Sequence, residues 1–122
     1  MVLVDTSVWI SLYRRRRSEI GERMWRLVAR GDAAICGQIW VEFIGGFRRS
    51  PERQRMVAGL RWFPFLDSDR QVFERAADLL ARHAVLGPGD AIIAATAIHA
   101  RVQLFTLDSD FQALTSEGLS LF

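Results

Sequence analysis

Lysine is absent from this chain of 122 residues, and all 16 of its basic residues are arginine. A Walker-type phosphate loop, a receiver-type phosphorylation site, a Schiff-base enzyme and a Ser/Lys hydrolase each require a lysine. The missing lysines therefore exclude these four kinds of site. They also disfavour a phosphatase with an aspartate nucleophile, although an arginine can replace the lysine that holds the phosphate.

Cysteine and long apolar runs are also scarce. The one cysteine, Cys36, cannot form an internal disulfide, and its position in a predicted strand favours a small buried hydrophobic residue. No apolar run approaches the roughly 20 residues that a membrane helix needs. The first residues lack the basic start and cleavage site of a signal peptide. We therefore expect a cytoplasmic protein with no membrane contact.

Apolar residues make up 50% of the chain and include four Trp and eight Phe, which favours a folded globular protein over a disordered one. The length suits one domain, and there is no internal repeat, low-complexity tract or linker. We predict a single domain over residues 1–122.

Short apolar runs alternate with amphipathic segments along the sequence. The runs predict strands over residues 2–5, 33–36, 62–66 and 103–107, and the pattern allows a last strand over 119–122. Helical spacing predicts helices over about 6–13, 19–30, 38–47, 69–83 and 90–100, with a helix start at Ser50 and a short helix at 110–114. Such alternation predicts an α/β fold with a largely parallel sheet.

Four acidic residues have notable positions in this pattern. Asp5 and Asp108 lie where predicted strands end, Glu42 lies within a predicted helix, and Asp90 lies at the start of another. Carboxylates so placed are typical of a metal pocket at the carboxyl edge of a parallel sheet. Each has a simpler alternative. Asp5 and Asp90 are also N-cap candidates, and Asp108 and Asp110 are each a candidate ligand, cap or turn former.

Glu42 is the most discriminating of these acids. Its predicted helix carries an apolar face that points well away from Glu42. Gly45 and Gly46 follow one turn later, and glycines in a helix cost about 1 kcal/mol each relative to alanine. That cost favours a cleared flank where a ligand or another backbone approaches, although a solvated glutamate on a marginal helix remains the alternative.

The other ten acidic residues are outnumbered by the 16 arginines. A basic body around an acidic pocket suits a polyanionic substrate that is held by its phosphates. Candidates for phosphate contacts are Arg14, Arg15, Arg48 and Arg49, together with Arg16, Arg17, Arg53 and Arg55. A solvated surface or a protein-facing patch is the alternative for all of them.

Four segments together resemble the successive motifs of the PIN domain, and within it the VapC-type toxins of prokaryotic toxin-antitoxin pairs. They are Leu-Val-Asp-Thr-Ser-Val-Trp at 3–9, Val-Glu-Phe-Ile-Gly-Gly at 41–46, Asp-Ala-Ile-Ile-Ala-Ala-Thr-Ala at 90–97 and Leu-Phe-Thr-Leu-Asp-Ser-Asp-Phe at 104–111. The resemblance spans nearly the whole chain, in the order of the family's motifs.

The resemblance implies a three-layer α/β/α fold around a central parallel sheet of four to five strands. It matches Asp5, Glu42, Asp90 and Asp108 to the acidic quartet that binds Mg²⁺ or Mn²⁺, with Asp110 sharing the last role. Thr6 and Thr106 match accessory polar positions. It further implies endoribonuclease activity on RNA, a homodimer, and a cognate antitoxin that covers the pocket in a prokaryotic cytoplasm.

Three other functions compete with this one. His83 and His99 suggest a metal-free nuclease with an acid–base pair, although their positions near helix ends favour structural roles. A non-catalytic interaction module would keep the fold without cleaving RNA. A PIN-type RNA-processing nuclease would act outside a toxin-antitoxin pair.

Overall fold

Short strands alternate with helices in the computed structural model, which describes residues 1–15 and 17–122. The strands are β1 (Val2–Val4), β2 (Ala33–Cys36), β3 (Phe65–Leu66) and β4 (Gln103–Phe105). The helices are α1 (Thr6–Arg14), α2 (Glu19–Ala29), α3 (Gly37–Ile44), α4 (Ser50–Leu60), α5 (Arg70–Arg82) and α6 (Pro88–Ala100), followed by a 3₁₀ helix over Ser109–Glu117. No helix among the described residues is long and apolar enough to cross a membrane.

The strands form one parallel sheet in the order β3-β2-β1-β4. Val2 pairs with Ala33 on one side and with Gln103 on the other. The predicted α/β fold with a parallel sheet is therefore confirmed. The allowed last strand is present only as one parallel bridge between Leu121 and Leu104.

Strand β1 lies where the order of the sheet reverses. The chain runs from β1 to β2 and β3 on one side, and then crosses over to β4 on the other side of β1. In open parallel sheets, ligands bind in the crevice outside the carboxyl ends of the two strands at such a reversal. Asp5 directly follows β1, and Thr106 directly follows β4, so both enter this crevice.

The sheet is covered by helices, and every residue of β1 and β2 is buried. Continuous apolar burial of this kind is expected where both faces of a parallel sheet are packed. Helices α2 and α3 contact β2, while α6 contacts β4 and packs along α5. The Trp9 indole N–H donates to the carbonyl oxygen of Val4 at 3.0 Å, which anchors α1 to the end of β1.

Several predicted boundaries are wrong, among them the end of β4, which lies at Phe105 rather than at residue 107, and the end of the last helix, which lies at Glu117 rather than at residue 114. Strand β3 begins at Phe65 rather than at residue 62, because Trp62 belongs to the turn after α4 and is 89% exposed. Helix α3 ends at Ile44 rather than at residue 47. Helix α6 begins at Pro88, and Gly87 occupies its N-cap, so the N-cap alternative for Asp90 is also wrong.

Candidate functional site

Asp5 is held by two hydroxyl groups at the reversal point of the sheet. Its side chain is almost fully buried, and its Oδ2 atom accepts from Ser7 Oγ at 2.7 Å and from Thr106 Oγ1 at 2.8 Å. Asp5 is the N-cap residue of α1, but its side chain makes no capping hydrogen bond. Capping therefore does not account for this buried carboxylate, which is stabilised by hydroxyl donors instead.

The same two hydroxyls also fasten the chain after β4. Thr106 Oγ1 accepts from the backbone N–H of Asp108 at 3.0 Å, and Ser7 Oγ accepts from the backbone N–H of Leu107 at 3.0 Å. The Asp108 carboxylate accepts from the backbone N–H of Asp110 at 2.9 Å and so caps the 3₁₀ helix. Of the predicted alternatives for Asp108, the capping role is confirmed. It occupies only one carboxylate oxygen.

Glu42 lies on α3 with both carboxylate oxygens engaged. Thr6 Oγ1 donates to Oε1 at 2.9 Å, and the side-chain amide of Gln38 donates to Oε2 at 2.8 Å. Thr6, an accessory position in the sequence analysis, therefore contacts a predicted site acid directly. The sequence patterns did not identify Gln38 as a site residue, although it lies four residues before Glu42, the spacing at which side chains on a helix contact each other.

The backbone that approaches Glu42 belongs to α6. The prediction that Gly45 and Gly46 lie inside the helix is wrong, because both follow the end of α3 at Ile44, and the atoms nearest to a Cβ on either glycine belong to α3 itself. A Cβ atom placed on Gly89 would instead lie 2.7 Å from Glu42 Oε2 and 2.8 Å from Gln38 Nε2. Only a glycine at position 89 leaves room for these two side-chain ends as they stand.

Asp90 is the residue on which the charges of the other predicted acids act. It lies in the first turn of α6 and is half-buried. Burial, together with the negative charges of Asp108, Asp5, Glu42 and Asp110, raises the pKa of Asp90 from 3.8 to about 6. The N-terminus of a helix favours a carboxylate, so the raised pKa means that burial and repulsion outweigh that effect. The negative charges of the other four predicted acids therefore all act on Asp90.

The five acids Asp5, Glu42, Asp90, Asp108 and Asp110 are called the acidic centre. Their carboxylate oxygens are the chemical type of ligand that binds Mg²⁺ or Mn²⁺. Carboxylate oxygens are hard ligands, and a divalent cation relieves the repulsion that is evident at Asp90. Within residues 1–15 and 17–122, no three His, Cys, Asp or Glu side chains are already arranged to hold an ion. This is compatible with Mg²⁺, which proteins commonly bind through one or two carboxylates, waters and substrate phosphates rather than in an all-protein cage.

The predicted phosphate contacts lie on the surface. Arg16 lies outside the described residues. The other candidates are exposed near the end of α1, after α3 and on α4: Arg14, Arg15, Arg17, Arg48, Arg49, Arg53 and Arg55. Within the described part of the chain, none of their side chains forms an ion pair. They are therefore available to a polyanion, and their role in binding RNA stays a prediction.

The two histidines have separate partners outside the acidic centre. His83 Nε2 lies 3.0 Å from Glu117 Oε1, and His99 Nε2 lies 4.0 Å from Asp69 Oδ2. Neither partner is one of the five acids around Asp90. These contacts favour the structural roles expected from the sequence over an acid–base pair.

Comparison with known proteins agrees with the geometry. A family model described as PIN domain matches residues 2–116. Ribonuclease VapC10 of Mycobacterium tuberculosis is 34% identical over 116 residues, which cover 88% of this chain and 83% of the relative. Ribonuclease VapC11 of the same organism is 30% identical over 125 residues, which cover 93% and 91%.

A solved structure supports the same assignment. The chain superposes on a toxin-antitoxin complex from Klebsiella pneumoniae with a TM-score of 0.79 and 29% identity, and the match covers 91% of this chain and 90% of the other. The family model and the sequence relatives carry the family assignment, and the superposition shows a shared fold over most of the chain. The protein belongs to the PIN-domain family, and the curated relatives that it matches are named VapC ribonucleases.

Proposed function

We propose that the protein is a divalent-metal-dependent endoribonuclease, a VapC-type toxin that cleaves RNA phosphodiester bonds and is neutralised by a cognate antitoxin. The observation that carries this proposal is the convergence of negative charge on Asp90 from Asp5, Glu42, Asp108 and Asp110. In the metal-free protein this repulsion only destabilises the fold, whereas in a cation site the clustered negative charge attracts the ion. The names of the relatives supply the reaction class.

In this proposal Asp5, Asp90 and Asp108 hold Mg²⁺ or Mn²⁺, with Asp110 beside Asp108 as a further oxygen donor. The bound ion would supply an activated water and neutralise charge on the phosphate oxygens. Ser7 and Thr106 fix the orientation of Asp5, because both hydroxyls donate to its Oδ2 atom. The other oxygen of Asp5 is then left for the ion.

The RNA backbone would contact the exposed arginines, first of all Arg14, Arg15, Arg48 and Arg49. Such contacts depend on phosphate charge and not on base identity, so they would bind RNA without selecting its sequence. The antitoxin would cover the acidic centre and exclude RNA. The partner is inferred from the toxin-antitoxin complex that the chain resembles.

We further propose a homodimer that forms through an apolar groove of about 550 Å³ beside α3. Its walls include Val41, Phe65 and Phe73, which are 67%, 51% and 50% exposed, although large apolar side chains are normally buried. Phe73→Arg should shift the mass measured by light scattering from dimer to monomer. Trp25→Ser, which removes a 70% exposed tryptophan that lies outside this groove, is the control.

The decisive experiment is a cleavage assay on total RNA with mapping of the cut ends. We expect defined cuts by the wild type with Mg²⁺, no cuts with EDTA, and none by Asp5→Asn with Mg²⁺. Asp67→Asn, which changes an exposed carboxylate outside the centre, should cleave like the wild type. Cleavage that persists in EDTA would favour the histidine mechanism, and no cleavage under any condition would favour the inactive interaction module.

A further inference from the structure

Glu42 differs from the other acids of the centre because it stands on the exposed side of a helix. A glutamate in that position ordinarily moves among several rotamers. Here two donors restrain it: Thr6 Oγ1 from α1 at 2.9 Å and Gln38 Nε2 from its own helix at 2.8 Å. Each oxygen of the carboxylate has one donor, so both the position and the rotation of the group are restrained.

Gly89 makes this arrangement sterically possible. A Cβ atom there would lie 2.7 Å from Glu42 Oε2 and 2.8 Å from Gln38 Nε2, closer than such atoms approach one another. Gly89 lies in the first turn of α6, directly before Asp90. The hydrogen-bonded ends of Glu42 and Gln38 therefore fill the space beside the backbone that carries Asp90, the residue whose carboxyl experiences the charges of the other acids.

We propose that Gln38 is a positioning residue for Glu42, and that Gly89 provides the space in which the pair is held. The inference rests on the proposed metal-dependent ribonuclease function. Gln38 holds the Glu42 carboxylate against the first turn of α6, so that it contributes to a cation site shared with Asp90. Partners that orient a ligand in this way typically change metal affinity or activity about 10- to 100-fold when they are removed.

If Gln38 has only a structural role, a different result is expected. Gln38 and Glu42 would then be an ordinary surface pair four residues apart on a helix, which contributes little to stability. The chain contains such a pair on α4, where the Gln54 side chain donates to Ser50 Oγ at 3.2 Å, away from the acidic centre. Gln54→Met is therefore the matched control for Gln38→Met, since both variants keep side-chain length and remove the amide donor.

The test compares Gln38→Met, Gly89→Ala and Gln54→Met in two measurements, calorimetric titration with Mn²⁺ in the absence of RNA, and RNA cleavage. We expect Gln38→Met and Gly89→Ala to weaken Mn²⁺ binding and to slow cleavage by about 10- to 100-fold. Their melting temperatures should stay close to that of Gln54→Met, which should bind and cleave like the wild type. In a Glu42→Gln background, Gln38→Met should cause no further loss, because both residues act through the same carboxylate.

Two outcomes would overturn the positioning role alone. One is a wild type that binds Mn²⁺ and cleaves, beside a Gln38→Met variant that does both equally well. The other is an equal loss from Gln38→Met in the wild-type and Glu42→Gln backgrounds, which would mean that Gln38 acts independently of Glu42. A wild type that neither binds Mn²⁺ nor cleaves RNA would overturn the proposed function together with this role.

Discussion

Thr106 Oγ1 donates a 2.8 Å hydrogen bond to Asp5 Oδ2 across 101 positions of sequence. Thr106 Oγ1 also accepts a hydrogen bond from the backbone N–H of Asp108 at 3.0 Å. One hydroxyl thereby connects the first acid, after β1, with the fourth acid, after β4. The two strands are neighbours in the sheet, so this bond spans the crevice at the reversal of strand order.

Thr106→Val should damage both the site and the fold. The substitution keeps the shape of the side chain but removes a donor to a buried carboxylate and an acceptor for a backbone N–H, at a cost of about 1–3 kcal/mol. The rate of RNA cleavage by this variant should also fall, because Asp5 loses one of the two hydroxyls that orient it. Thr115→Val is the control, because the Thr115 hydroxyl donates to Gln112 O on the exposed surface of the 3₁₀ helix and its loss should be small. Urea unfolding curves that coincide for the two variants would contradict this prediction.

Asp90→Asn should stabilise the metal-free protein at neutral pH. The folded pKa of Asp90 is raised from 3.8 to about 6, so ionising this group opposes folding, and the wild type loses stability as pH rises from about 4 to 6. The full shift of about two units would correspond to about 3 kcal/mol. Because Asp90 is only half-buried, solvent screening reduces the expected gain in the variant to about 1 kcal/mol at pH 7.

Thermal unfolding in EDTA between pH 3.5 and 8 measures this gain. The advantage of Asp90→Asn over the wild type should shrink as pH falls below 6 and disappear near pH 4. Asp67→Asn should show no such trend, since Asp67 is an exposed carboxylate outside the centre. An Asp90→Asn variant that is several kcal/mol less stable at every pH would show instead that the carboxylate is structural.

The metal requirement of cleavage should depend on pH. Protons and cations compete for Asp90, whose carboxyl is half-protonated near pH 6 in the metal-free protein. Below that pH, the Mg²⁺ concentration for half-maximal cleavage should rise by up to about tenfold per pH unit if one proton is displaced. Magnesium titrations of the cleavage rate at pH 5, 6, 7 and 8 measure this, and a requirement that is constant over that range would contradict the prediction.

Asp108 and Asp110 can be separated by their effects on Asp90. After burial, Asp108 is the largest cause of the raised pKa of Asp90, whereas Asp110 is the smallest. Asp108→Asn should therefore lower the pKa of Asp90 more than Asp110→Asn does, and it should also slow cleavage more. An asparagine at position 108 still caps the 3₁₀ helix, so both variants should fold. NMR titration of the Asp90 carboxyl carbon measures the difference, and a larger effect of Asp110→Asn would reverse the assignment.

Local sequence patterns were sufficient for much of the fold. The run Ala-Ala-Ile-Cys is apolar throughout, and strand β2 has the predicted bounds of 33–36. The prediction that Trp62 begins a strand was wrong. Aromatic residues favour strands in general, but Trp62 lies in the turn after α4 with its side chain exposed. The Gly-Pro-Gly segment at 87–89 indicates a break in the chain, and the structure places its last two residues inside α6.

The candidate site was predictable only in part, for a physical reason. The positions of Asp5 and Asp108 follow from strand ends, which meet at one edge of any parallel sheet. The contact between Gly89 and the Glu42–Gln38 pair depends on how closely α6 packs against α3, and no local pattern encodes that distance. The donation from Gln38 to Glu42 was accessible from the spacing of four residues, but the spacing alone does not show which side of the helix faces the other acids.

Glu117 should stabilise the junction between α5 and the 3₁₀ helix in a pH-dependent way. Its carboxylate accepts from Arg82 Nε at 2.9 Å and Arg82 Nη2 at 2.8 Å, and it lies 3.0 Å from His83 Nε2. The hydrogen bonds from Arg82, and then that from His83, lower the pKa of Glu117 from 4.5 to about 2. A lowered pKa contributes stability that is fully present above pH 4.5 and is lost as pH falls toward 2.

Glu117→Gln should therefore lower the melting temperature at pH 7, and its difference from the wild type should narrow as pH falls from 4.5 toward 2. Glu74→Gln, an exposed change on α5, is the control. RNA cleavage at pH 7 and at temperatures below both melting transitions should be unchanged, because Glu117 does not contribute to the raised pKa of Asp90 and its partners lie outside the acidic centre. Parallel pH curves for the wild type and Glu117→Gln would mean that this ion pair is too well solvated to affect folding, as many surface pairs are.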